Sequence, residues 1–237
     1  MIFDPFYMLV FGVGTVLSML AQWRVKGAFD KWSNVRTTGN LTGAEIARRI
    51  LQVNGIRDVR VEQTNGYLSD HYDPTSKTLR LSPDVYSQPS VAAVGVAAHE
   101  VGHAIQHAQG YRWLQMRSAL VPPLQITSNM AMPVMMLGFV LVSFGMAAIG
   151  TLALQIGVLL FSVMLVFQLV TLPVEFDASN RALAAIQQGG LVDQREFAGA
   201  KEVLNAAALT YVAAAVATAL QVLYFAWRAG LLGGNDD

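Results

Sequence analysis

Three of the four histidines in the chain fall within nine residues of one another, in "AAHEVGHAIQHAQGY" (residues 97–111). His99, Glu100 and His103 fit the pattern H-E-x-x-H. Four residues is just over one helical turn, so the two imidazoles leave the same helix face about 6 Å apart at their roots and can grip one ion. Glu100 stands a little to the side of that ion, where its carboxylate can take a proton from an attacking water. The surrounding helix is rich in Ala and Val. Polar side chains there are costly unless they are paired or ligate a metal.

A catalytic zinc wants three protein ligands and one open position. His107 continues the spacing, but another turn along a straight helix carries it away from an ion held between His99 and His103. The metzincin spacing also fails, because Gln106 and Gln109 occupy its glycine and third-histidine positions. His107 therefore reads as a polar group at a helix end, close to the negative pole of the dipole. The third ligand is expected in "LPVEFDASNRALAAIQQGG" (172–190), which is bounded by Pro173 and a Gly-Gly pair. On a helix there, Glu175, Ala178, Ser179 and Ala182 share one face. Glu175 follows directly on an apolar run, a setting that a lone carboxylate avoids. Asp177 is the rival ligand, on a different face.

The elements that must bring these groups together are mostly apolar. Of 237 residues, 54% are hydrophobic and 14% charged, which points to an integral membrane protein, mainly α. Formal net charge is zero, with no long basic run, so nucleic acid has no electrostatic case as a partner. Without cysteine, any metal must be held by His, Asp or Glu. Four transmembrane helices of about 20 residues are expected, over 5–23, 128–148, 151–172 and 205–227, the middle two turning at "AAIGT". Residues 24–117 carry twelve of the sixteen Lys and Arg and 173–205 carry three more. The positive-inside rule puts both segments in the cytoplasm and both termini outside, with Arg228 as the exception. Two spans separate His103 from Glu175, and an even number returns the chain to the same membrane face.

Residues 24–117 form a small α+β cytoplasmic lobe. "LTGAEIARRILQVNG" opens with a capping box, Thr42 with Glu45, and ends at Gly55, so it predicts an amphipathic helix burying Ile46, Ile50, Leu51 and Val53. "DVRVEQ" and "KTLRLS" alternate apolar with polar and predict two strands of an antiparallel sheet. The second is the best candidate for an exposed strand that receives a substrate by strand addition. "DHYDP" (70–74) reads as turn chemistry. Ser82 and Pro83 start a short helical turn, and the histidine helix runs from after Pro89 to Gly110.

The chain resembles the YugP-like family of bacterial membrane neutral zinc metallopeptidases over nearly its whole length. The resemblance is carried by the N-terminal span, "LTGAEIARRIL", "GYLSDHYDPTSKTLRLSPDVY", "AAHEVGHAIQHAQGY" and "PVEFDASNRAL". It implies a single zinc-dependent peptidase domain over 1–237, anchored in the bacterial cytoplasmic membrane. More distantly, the chain is similar to the gluzincin membrane proteases, whose third ligand is the glutamate of an E-x-x-x-D helix. Here Glu175 matches the glutamate, while Ser179 replaces the aspartate, so Asp177 or Asp73 is the candidate to orient a histidine instead. His71, Tyr72 and Arg181 are the candidates to stabilise an oxyanion.

The expected function is therefore hydrolysis of peptide bonds in a peptide or membrane-protein substrate. It would use a zinc-activated water, one zinc ion per chain bound by His99, His103 and Glu175, and Glu100 as general base. The alternatives are a catalytically inactive zinc-binding scaffold or chaperone, which has no reason to keep Glu100, and a haem protein. Haem needs axial ligands on opposite faces, and these histidines lie on one helix. A site-2 type intramembrane protease would need the motif inside a span, and none surrounds it.

Overall fold

The computed structural model describes residues 4–232; the ends of the expected 1–237 domain lie outside the described residues. Seven helices and three short strands follow in the order α1 (Pro5–Ser33), α2 (Gly43–Val53), β1 (Arg60–Gln63), β2 (His71–Asp73), β3 (Thr78–Leu81), α3 (Pro83–Ser87), α4 (Val91–Ala108), α5 (Arg112–Ser143), α6 (Ala147–Gln188) and α7 (Gln194–Arg228). They pack as two compact units. Among the described residues, the first holds 4–20, 116–171 and 211–232, and the second holds 21–115 and 172–210.

The first unit is built from parts of α1, α5, α6 and α7, each of which is as a whole long and apolar enough to cross a membrane. Large apolar side chains such as Met8, Leu9, Phe11, Met19 and Leu20 on α1 are exposed, as lipid-facing residues would be. Small residues let α5 and α6 approach: a Cβ on Gly157 would lie 2.2 Å from Met135 Sδ, and one on Gly138 2.9 Å from the Leu154 side chain. The turn between these helices is at 144–146, where Gly145 takes φ +79°. That is a few residues before the expected position, and "AAIG" instead forms the first turn of α6. The second correction concerns Pro173. It does not begin a new helix, because α6 runs through it to Gln188. A proline removes one backbone donor, and a long helix whose flanking turns are already formed can absorb that loss.

In the second unit, α2 and α4 pack against one another and carry much of the core. Ile46, Ile50, Leu51, Val94, Ala97 and Val101 are buried. The capping box of Thr42 and Glu45 is formed and Gly55 adopts φ +71°. Val53, in contrast to expectation, is 77% exposed, since it falls on the outer side of the last turn. Gly43 is needed for the close approach of α2, because a Cβ there would sit 2.2 Å from the carbonyl oxygen of Val85.

The sheet order is β1-β3-β2. The two strands expected to be antiparallel, β1 and β3, are parallel. The segment read as turn chemistry holds a strand, β2, antiparallel to β3. The physical reason is local: Asp73 caps the turn that follows it, its carboxylate accepting from Thr75 N at 2.9 Å and Ser76 Oγ at 2.6 Å. That tight turn makes β2 and β3 the hairpin and leaves β1 the far side of β3. The strand expected to be exposed, β3, is thus central, with Leu79 and Leu81 fully buried. The edges are β1 and β2.

Candidate metal centre

Helix α4 begins at Ser90, whose side chain accepts from Ala93 N at 3.2 Å, and stays helical to Ala108 without a break. His99 and His103 therefore sit one turn apart, their rings 4.8 Å between centroids and nearly perpendicular. Helix α6 lies across this turn because residue 102 is glycine. A Cβ on Gly102 would lie only 2.3 Å from the carbonyl oxygen of Ala178. The close crossing brings Glu175, one turn before Ala178, onto the histidine pair.

One ligand atom from each of His99, His103 and Glu175 lies within 4.8 Å of the others. Glu175 Oε2 is 3.2 Å from His99 Nε2 and 3.6 Å from His103 Nε2. A tetrahedron with metal–ligand bonds of about 2.05 Å has edges of about 3.3 Å, close to the two edges that run from Glu175 to the histidines. His103 and Glu175 are buried, and no other group of three or more His, Asp or Glu side chains forms a possible cation site among the described residues.

Glu100 is buried beside the pair, 8% exposed. Burial pushes its carboxyl up to about 7, a shift that nearby His99 opposes and the negative charge of Glu175 reinforces. The backbone N–H of Tyr72 on edge strand β2 donates to it. A carboxylate with a pKa near neutrality, held by one backbone donor, suits proton exchange in both directions.

The other ring nitrogen of each histidine is also engaged. His99 Nδ1 is 3.1 Å from Ser179 Oγ, so this hydroxyl reaches the ring. His103 Nδ1 is 3.0 Å from Gln106 Oε1, and Gln106 Nε2 donates to Asp177 Oδ2 at 2.7 Å. Asp177, the rival ligand, thus lies outside the donor cluster and reaches a histidine only through Gln106, a residue that the sequence reading passed over. A buried amide three residues after the second histidine, on an otherwise apolar face, was the available signal.

The remaining candidates are occupied elsewhere. Asp73 is bound to Ser76, Thr75 and Arg80 and does not approach a histidine. The Ser76 hydrogen bond, with those from Thr75 and Arg80, holds its carboxyl well below the usual range against the opposing effect of burial. Arg181 pairs with Asp177 and Gln109. His71 is exposed, with Nδ1 2.8 Å from the Ser69 carbonyl oxygen. Tyr72 Oη and His107 Nδ1 share a 2.8 Å hydrogen bond, which turns His107 away from the cluster.

A family model described as "Putative neutral zinc metallopeptidase" matches residues 7–229. The chain belongs to this family. Among curated proteins, "Putative membrane protease YugP" of Bacillus subtilis (strain 168) is 46% identical over 222 residues, covering 93% of this chain and 94% of that protein. No solved structure matches. Membership of a zinc metallopeptidase family agrees with a donor set of two imidazoles and a carboxylate, which suits zinc better than calcium or magnesium.

Proposed function

We propose that the protein is a membrane-bound zinc metalloendopeptidase of the gluzincin type. The observation that carries the reading is the convergence of one ligand atom each from His99, His103 and Glu175 within 4.8 Å, with Glu100 buried alongside. Zinc in this position supplies a Lewis acid that lowers the pKa of a water molecule and polarises the scissile carbonyl. Glu100 accepts the proton of the attacking water and then delivers it to the leaving amine. The Tyr72 N–H keeps the Glu100 carboxylate aimed while this happens. Strand β2, an edge strand next to Glu100, takes the role first expected of β3 and receives the substrate backbone by strand addition.

The substrate is a peptide or a membrane protein, and the bilayer is the permanent partner of the four long helices. Fifteen of the sixteen basic residues fall in segments 24–117 and 173–205, twelve in the first and three in the second, which supports a cytoplasmic site in a bacterial inner membrane.

Glu100→Gln should abolish cleavage of a model peptide while one zinc per chain is retained. Continued cleavage at the wild-type rate by that variant would sink the mechanism. Glu175→Ala should lower zinc content after dialysis, and full occupancy would remove Glu175 from the ligand set.

A further inference from the structure

The two histidines differ in what faces their outer nitrogen. His99 Nδ1 meets the hydroxyl of Ser179, which can donate or accept. His103 Nδ1 meets the Gln106 amide, and the orientation of that amide is not free. Its Nε2 lies 2.8 Å from the Val174 carbonyl oxygen and 2.7 Å from Asp177 Oδ2, both of which only accept. Turning the amide over would set its oxygen against two acceptors and give its two N–H groups at most one acceptor, an unprotonated His103 Nδ1, in place of the two on α6. Gln106 is fully buried, so water cannot compensate. Its Oε1 must therefore face His103, and a carbonyl oxygen can only accept. Nδ1 of His103 must then carry a proton, and in the neutral ring that leaves Nε2 bare on the side of Glu175.

The same amide reaches the third donor. Val174 is the residue immediately before Glu175, so Gln106 ties α4 to α6 one residue from the carboxylate while it sets the ring on the other side. Asp177 is fixed in turn by Arg181 one helical turn later. Resting on the zinc reading given above, we propose that Gln106 is a positioning residue that locks His103 in the Nδ1–H tautomer and staples Glu175 to the histidine helix, so that two of the three donors are set before an ion arrives.

The test uses the full-length protein in detergent, and it separates the lock from the staple. Gln106→Met removes both. Gln106→Glu keeps an acceptor for His103 Nδ1 but loses both donations to α6. Two quantities are read: zinc affinity, by competition with a chromophoric chelator, and the 15N shifts of the His103 ring in metal-free protein above the imidazole range, at about pH 8.5. The wild type and Gln106→Glu should show the proton on Nδ1, and Gln106→Met should show a mixture of tautomers. Zinc affinity should fall about 10- to 100-fold in Gln106→Met, the usual loss for an outer partner of a ligand. A folded Gln106→Met with wild-type affinity and an unchanged ring signal would overturn the proposal. If that variant does not fold, a bare Nδ1 in Gln106→Glu or in the wild type overturns it equally. Should the wild type take up no zinc, the metallopeptidase reading fails, while the ring signal still decides the lock.

Discussion

Substituting alanine for Gly102, inside the histidine motif, is the sharpest test of how the site is assembled. The added Cβ would lie 2.3 Å from the backbone oxygen of Ala178, with the Ala178 carbonyl carbon at 3.0 Å. Carbon–oxygen contacts settle at about 3.3 Å or more, so α4 and α6 must part by about 1 Å. Neither neighbour can yield by rotating a side chain, because the obstruction is backbone. Zinc sites tolerate about 0.2 Å in their ligand distances, so the ion can bind only by drawing the helices back against that clash. Overpacking of this kind costs about 1–3 kcal/mol, which corresponds to zinc binding about 5- to 150-fold weaker. Competition with a chelator measures it directly. Gly95→Ala is the control, on the same helix two turns earlier. There a Cβ meets Ala200 at 3.4 Å, an ordinary contact. That variant should bind zinc normally and gain stability from about 1 kcal/mol of helix propensity. A folded Gly102→Ala protein with undiminished zinc affinity would refute the close-crossing argument.

Two further outcomes follow from the same geometry. Glu100 has a folded-state pKa of about 7 against an ordinary 4.5, so folded metal-free protein holds a proton that the unfolded chain releases earlier. Its stability should therefore fall as pH rises from 4.5 through 7, by about 3 kcal/mol in total, and Glu100→Gln should lack that fall. Unfolding midpoints of the two metal-free proteins across this window check it, and parallel profiles would remove the burial argument. His107→Ala should leave zinc content unchanged, because its Nδ1 is turned to Tyr72. Loss of zinc in that variant would place His107 in the ligand set after all.

How much of this was legible in the sequence depended on the range of the physics involved. The capping box of α2, the C-terminal glycine at position 55 and the start of α4 at Ser90 are each decided within four residues, and each formed as read. The convergence of Glu175 with His99 and His103 followed from counting spans. Sheet topology did not follow. "DHYDP" contains real turn chemistry at Asp73, but the three residues before the turn pair with β3, and no alternation in so short a strand announces it. The mistake then propagated to β3, which was expected at an edge and lies in the centre. Gln106 was missed for a different reason: the significance of an amide depends on what lies within 3 Å of it, and both of its acceptors on α6 are nearly seventy residues or more away.

The crossing of α4 and α6 also bears on biosynthesis. The two histidines are translated well before Glu175, and the whole of α5 and the first part of α6 intervene. A nascent chain halted anywhere in that interval owns two donors and cannot complete the centre. On the zinc reading, hydrolytic competence is conferred by the last third of translation. A precursor that ends before Glu175 therefore lacks one of the three donors and, on that reading, is inert.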